Sequence, residues 1–177
     1  MSVQILQSLI QSVPNFPKPG ILFRDITPLL ADPKGLRLTA KLMADRIENL
    51  PHRPTLIAGP ESRGFIFGVG LAKYLSIGFI PIRKQGKLPR AVYKCQYELE
   101  YGFDTLEVHQ DAFNKEDQVL LVDDLLATGG TASACVELVN KAGANVLGSI
   151  FVIELLGLNG RAKMPKDIAV ESLIQYD

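Results

Sequence analysis

The sequence predicts an α/β protein with a mostly parallel central sheet flanked by helices, and three observations carry that expectation. A strand, loop, helix, strand rhythm runs from Thr55 to Ile82 and returns from Val119 to Glu154. Helical crossovers of this kind join parallel strands, and they are right-handed almost without exception. The length of 177 residues, with no internal repeat, low-complexity tract or linker, suits one domain, 1–177. Hydrophobic residues at 47% and charged ones at 21% are enough to build a core and too apolar for a disordered chain.

The elements follow in order. Ile5, Leu6, Leu9, Ile10 and Val13 recur at helical spacing, and Pro14, Pro17, Pro19 and Gly20 end that helix. An extended piece, Ile21 to Ile26, comes next. Asp32 before Pro33 reads as an N-cap and first helical position. Leu36, Ala40, Met43, Ile47 and Leu50 then give one apolar helical face. Thr55 to Ala58 reads as a strand, GPESRG as a loop, Phe65 to Tyr74 as a helix closed by Gly78, and Phe79 to Ile82 as a strand. The rhythm recurs with the strand Val119–Val122, the loop LLATGG, a helix from Thr131 to Lys141, a C-cap at Gly143 and a strand from Val146 to Glu154.

Residues 83–118 break this rhythm. They are polar, punctuated by Gly and Pro, and basic at their start, which predicts an excursion followed by hairpin-like strands and a surface turn at Asn114–Asp117. Long loops within compact domains are often functional.

Composition also excludes function classes. Lys+Arg and Asp+Glu both number 19, so the net charge is zero, and neither general nucleic-acid binding nor a polybasic membrane contact is expected. No apolar run approaches the roughly 18 residues of a spanning helix. MSVQILQSLIQS lacks the pattern of a secretory signal, and Cys95, Cys135, His52 and His109 form no metal or disulfide framework. A cytoplasmic location is the expectation.

Chemistry concentrates in VLLVDDLLATGGTA, Val119 to Ala132. A strand ends in Asp123 and Asp124, turns through Gly129 and Gly130 and enters a helix. Backbone N–H groups from Thr128 to Thr131, at the positive end of a helix dipole, suit a phosphate, and the two Thr hydroxyls add donors. Adjacent carboxylates would repel that phosphate, but they suit sugar hydroxyls, gripped directly or through Mg²⁺. A phosphorylated ribose meets both demands; solvated acids beside a plain turn are the bland alternative. The segment lacks the G-x-x-x-x-G-K-[ST] spacing, and Gly68 and Gly70 fall within a helical pattern rather than a dinucleotide fingerprint.

VLLVDDLLATGGTA resembles the 5-phosphoribosyl 1-pyrophosphate (PRPP) signature of type I phosphoribosyltransferases. FPKPGILFRDITPLL, GPESRGFIFG, RKQGKLP, YELEYG and ELLGLNGR resemble the adenine branch of that family along nearly the whole chain. The resemblance implies the type I phosphoribosyltransferase fold, with a small N-terminal hood over residues 1–35 and a flexible catalytic loop over 83–100. It also implies Mg²⁺-dependent transfer from PRPP to adenine, giving AMP and pyrophosphate in purine salvage, by a homodimer.

The family's roles carry over as follows. Ala127, Thr128, Gly129, Gly130 and Thr131 would hold the 5-phosphate, and Asp123 and Asp124 the ribose hydroxyls. Mg²⁺ would be held mainly through PRPP, with those two acids as candidate contacts. Glu61, Ser62 and Arg63 fall on the pyrophosphate loop, where Arg63 matches phosphate oxygens with a planar fork of donors. Arg83, Lys84 and Lys87 would neutralise the leaving group, with Gly86 as a hinge; an ordinary solvated position fits Lys84 better than Arg83 or Lys87, and Arg90 is unassigned. Leu22, Phe23 and Arg24 would flank adenine, largely through the backbone. Glu100 would act at N7 of adenine with Tyr101 beside it; spacing alone cannot separate Glu100 from Glu98. Cys95 falls on the loop, as an oxidation-sensitive thiol or a bystander. The alternatives are another purine base, or a PRPP-binding regulator.

Overall fold

The computed structural model describes residues 2–98 and 102–177. Seven strands form the central sheet, which runs in spatial order β5 (Val92–Glu98), β6 (Phe103–His109), β4 (Gly78–Lys84), β3 (Leu56–Pro60), β7 (Gln118–Leu126), β8 (Asn145–Leu155) and β9 (Ala169–Tyr176). From β4 to β9 all neighbours are parallel, whereas β6 runs antiparallel to both β4 and β5. The α/β expectation with a mostly parallel sheet therefore holds. A separate pair, β1 (Gln11–Pro14) and β2 (Leu22–Asp25), is antiparallel and lies within the expected hood span.

Helices α3 (Pro33–Ile47) and α4 (Arg63–Leu75) cover one face of the sheet with α1 (Ser2–Ser8) and α2 (Thr27–Ala31), while α5 (Gly130–Lys141) covers the other. Alternation along β7 feeds both cores, Leu120 and Val122 toward α3 and α4, Val119 and Leu121 toward α5. The two cores are thus separate clusters on opposite faces of one sheet.

Several boundaries differ from the sequence reading. The first helix stops at Ser8, and Val13 lies in β1 paired with Phe23. Pro14 and Pro17 leave that stretch too short a ladder to stay helical, and pairing with β2 satisfies its backbone instead. Asp32 caps α3 as expected, accepting from Lys34 N at 2.7 Å and Gly35 N at 2.9 Å. The buried face of α3 includes Met43 and Ile47 but turns toward Gly35, Thr39 and Ala44. Thr39 tolerates burial because its hydroxyl donates to the Gly35 carbonyl at 2.9 Å.

The left-handed cap of α4 falls on Ser76 (φ 58°), which leaves Gly78 free to begin β4. β7 continues past Val122 through both acids to Leu126, because β8 keeps pairing with it as far as Leu126 opposite Glu154. The pairing of β3 with β7 ends at Ala58 and Leu121, so this far half of β7 has one free edge. A cleft opens there, at the carboxyl ends of the strands. Residues 83–98 comprise the end of β4, a turn and β5, the last a hairpin strand of seven consecutive pairs with β6. The surface turn closes with Asp117 N donating to Asn114 O at 3.1 Å. Sequence assignment stopped at Glu154; beyond it lie two short 3₁₀ turns, Leu156–Leu158 and Gly160–Lys163, and the edge strand β9.

Candidate active site

The free edge of β7 borders a cavity of about 280 Å³. Its walls are the Pro60–Arg63 turn, the run from Asp123 to Ala132, and Lys84, Tyr97 and Leu106. The phosphate-loop residues Ala127, Thr128, Gly129, Gly130 and Thr131 are therefore brought together with Asp123, Asp124 and Arg63, as the sequence implied. Gly129 is the N-cap of α5 at φ 81° and offers no side-chain cap, so the first-turn N–H groups depend on another acceptor. That arrangement suits a bound anion.

The acids lie in a tense electrostatic setting. Burial, then the charge of Asp124, push the Asp123 carboxyl well above its ordinary value. Burial also raises Asp124, with the Arg63 guanidinium pulling the other way. Arg63 Nε stands 3.0 Å from Asp124 Oδ2, an ion-pair distance. The alignment is not that of a hydrogen bond, so this buried oxygen has no hydrogen-bond partner among the described residues. Asp123 Oδ1 accepts from Asp124 N at 2.8 Å. Among the described residues no cluster of three or more His, Cys, Asp or Glu could hold a metal alone. An under-satisfied pair of carboxylates does fit Mg²⁺ bound chiefly by substrate phosphates, the usual mode for that ion.

Arg83 and Lys87 do not line this cavity. Both lean on Glu61, with Arg83 Nε 3.5 Å and Lys87 Nζ 3.7 Å from its carboxylate. Glu61 also accepts from Lys84 N. Burial opposes its ionisation, but the Lys84 N–H, Arg83 and Lys87 outweigh it and hold Glu61 below its ordinary value. Lys84, which the sequence reading favoured least of the three, lines the cavity and pairs with Asp104 at 3.0 Å. Gly86 takes φ 78° and donates its N–H to buried Glu107 at 2.9 Å. Glu100 and Tyr101 lie outside the described residues. Cys95 is buried in β5 with its thiol pushed up to about 11, first by burial and then by Glu137, which disfavours the reactive thiolate.

A second cavity, about 450 Å³, opens under the hood. Phe16 and Phe23 meet edge to face there, centroids 5.1 Å apart, beside Val13, Asp25, Ile26 and Leu30. Arg63 lines both cavities. Phe23 is thus placed in an aromatic pocket, while the Leu22 side chain is exposed and neither it nor the Arg24 side chain lines the pocket.

Sequence reasoning gave ELLGLNGR no task, and the structure supplies one. Gly160 abuts the phosphate loop so closely that a Cβ on it would stand 2.3 Å from the Ala127 carbonyl oxygen. Arg161 fixes this turn: Nε and Nη2 donate to the two oxygens of buried Glu154 at 2.5 and 2.7 Å, and Nη1 donates to Val170 O at 2.5 Å. Ser172 and Gln175 complete the shell around Glu154. The Glu and Arg, seven residues apart in one motif, were the only sequence signal for this pair.

Arg161 above all, against the cost of burial, holds the Glu154 carboxyl down to about 2. A depressed carboxylate stabilises the fold above its unfolded value, and that contribution is lost as pH falls from 4.5 toward about 2. Allowing for the exposure of Arg161, the loss is about 2 kcal/mol. Acid denaturation followed by circular dichroism should therefore show Glu154→Gln losing its stability deficit relative to wild type across this window.

The chain resembles known proteins in sequence and in fold. A family model described as the phosphoribosyl transferase domain matches residues 25–175. An adenine phosphoribosyltransferase of Francisella philomiragia is 59% identical over 176 residues, covering 99% of this chain and 100% of its own length. The crystal structure of adenine phosphoribosyltransferase from Thermoanaerobacter pseudethanolicus matches with a TM-score of 0.93 at 45% identity, covering 98% of this chain and 99% of that one. The Saccharomyces cerevisiae enzyme, complexed with an imino-altritol bisphosphate and adenine, matches with a TM-score of 0.93 at 40% identity, covering 97% of this chain and 98% of its own. Similarity over nearly the whole length, in sequence and in fold, shows that the chain belongs to the adenine phosphoribosyltransferases of the phosphoribosyltransferase family.

Proposed function

We propose that this chain transfers ribose 5-phosphate from PRPP to adenine, giving AMP and pyrophosphate in purine salvage. The observation that carries the reading is the pair of cavities that share Arg63 in their walls, one walled by the Ala127–Thr131 loop and Asp123–Asp124, the other aromatic. A phosphorylated sugar in the first and a flat base in the second would lie on either side of Arg63.

The N–H groups and hydroxyls of Thr128 to Thr131 hold the 5-phosphate, with Ala127 and the two glycines letting the backbone close on it. Asp123 and Asp124 accept from the ribose 2- and 3-hydroxyls and so fix the ring. Arg63 faces the departing pyrophosphate, and Arg83 and Lys87 exchange Glu61 for it as the 83–100 segment closes and excludes water. Mg²⁺, when bound with PRPP, neutralises diphosphate charge and eases departure of the leaving oxygen. As the bond from the anomeric carbon to pyrophosphate lengthens, that carbon gains positive charge, and N9 of adenine attacks the opposite face. Inversion turns the α sugar into the β nucleotide, and the N9 proton is lost. The backbone of Leu22–Arg24 and the ring of Phe23 orient the base, while Glu100, with Tyr101 beside it, stabilises the attacking form at N7. Positioning and electrostatics supply most of the rate.

A homodimer working in the cytoplasm completes the proposal, on the family resemblance. The test is pyrophosphate release from purified protein with PRPP and Mg²⁺, offering adenine, hypoxanthine, guanine and xanthine separately. Release with adenine alone, stopped by chelating Mg²⁺, is the expected result. Release with a different base would sink the adenine assignment. PRPP binding without release would instead indicate a regulator.

A further inference from the structure

The strand that carries the base-binding segment is tied to the far edge of the central sheet. Side chains of β2 alternate between its two sides. Phe23 and Asp25 line the hood cavity, and Arg24 between them lies on the other side. There its guanidinium sits over the ring of Tyr176, 3.7 Å from the centroid. Nη1 donates to Ser12 Oγ, on the cross-strand partner in β1, at 2.5 Å, while the buried Nε has no hydrogen-bond partner among the described residues. The aromatic face is therefore a principal contact of a partly desolvated cation, the setting in which a cation–π contact is strongest.

Tyr176 is itself anchored. It closes β9, paired with Leu155 of β8, in the same sheet that carries the phosphate loop. A path of direct contacts thus runs from the sheet through Tyr176 and Arg24 to the backbone flanking Phe23. Because β1 and β2 pair only with each other, this contact helps fix the height of the hood strand over the cleft.

We propose that Tyr176 is a positioning residue for the purine base, acting through Arg24 to hold the Leu22–Asp25 strand in register with the PRPP site. The inference rests on the adenine reading above. It concerns the base alone, since neither Tyr176 nor Arg24 lines the cavity of the phosphate nest. The ring face is what matters, and the hydroxyl is not needed.

The test compares Tyr176→Leu with Tyr176→Phe. Leucine keeps apolar bulk and removes the ring quadrupole; phenylalanine restores it. In steady-state assays Tyr176→Leu should raise the KM for adenine roughly 3- to 30-fold, the span of a lost cation–π contact, with kcat and the KM for PRPP within about twofold. Tyr176→Phe should return the adenine KM to the wild-type value. Without any substrate, hydrogen–deuterium exchange of the Leu22–Asp25 amides should quicken in the leucine variant and not in the phenylalanine one. A parallel rise in both KM values would reduce Tyr176 to a general structural role and overturn the proposal. Unaltered exchange in Tyr176→Leu would overturn the tether by itself, whereas a wild-type protein that makes no AMP would overturn the adenine reading on which the base-positioning role depends.

Discussion

Gly160→Ala is expected to cut kcat/KM for PRPP about 10²-fold, the cost of displacing a substrate-positioning group by about 1 Å. The added Cβ would stand 2.3 Å from the Ala127 carbonyl oxygen and 3.1 Å from Gly129 N. Both neighbours are backbone, so no side chain can swing away, and the phosphate loop itself must move. The reciprocal contact is as tight, since a Cβ on Gly129 would meet the Gly160 carbonyl oxygen at 2.3 Å. Gly157→Ala is the control, because a Cβ there has nothing within 4 Å. Initial rates at varied PRPP for both variants, with melting temperatures alongside, check the expectation. A Gly160→Ala enzyme with the kinetics of Gly157→Ala would mean that the contact does not set the position of the nest.

Asp123→Asn should move activity and stability in opposite directions. Asparagine keeps an oxygen for the Asp124 N–H, now at 2.8 Å, and leaves the Arg63–Asp124 pair at 3.0 Å in place. It removes a carboxylate whose ionisation is opposed first by burial and then by Asp124. A carboxyl raised in this way costs the fold progressively more as pH climbs above its unfolded value, so the melting temperature of the variant should exceed that of wild type, and by more at pH 8 than at pH 5. Exchanging this carboxyl for an amide at the proposed ribose contact should lower kcat/KM for PRPP roughly 10- to 100-fold, with a smaller change in the KM for adenine. Thermal melts across pH and kinetics on the same preparation test both halves. A variant that is less stable and equally active would refute the assigned role.

The parts of this site legible in the sequence are those made by neighbours in the chain. VDDLLATGGTA carries its strand end, acids, loop and helix start in one run, and the structure gathers them round one cavity. Asp32 and Pro33 announced α3 because a cap is a local device. What escaped depends on distant partners. Arg161 meets Glu154 across a turn, and both meet Ser172 on another strand. Arg24 was read for its backbone, and nothing near it in sequence points to Tyr176. The continuation of β7 through Asp123 and Asp124 was missed for the same reason: only pairing with β8 sustains it. Lys84 looked solvated because its partner, Asp104, is supplied by β6, the strand that neighbours β4 in the sheet but lies some twenty residues on in the chain.

Glu61 has a consequence for turnover. Its carboxylate engages Arg83 and Lys87 at 3.5 and 3.7 Å, so these cations already have an internal anion as their companion. On the proposed function, a diphosphate arriving here would compete with that resident, trading one ionic contact for another rather than neutralising bare charge. The net gain per contact would be smaller than two unattended cations would provide. Product inhibition by pyrophosphate is therefore expected to be shallow, because Glu61 stands in the wall ready to reclaim each cation as pyrophosphate departs.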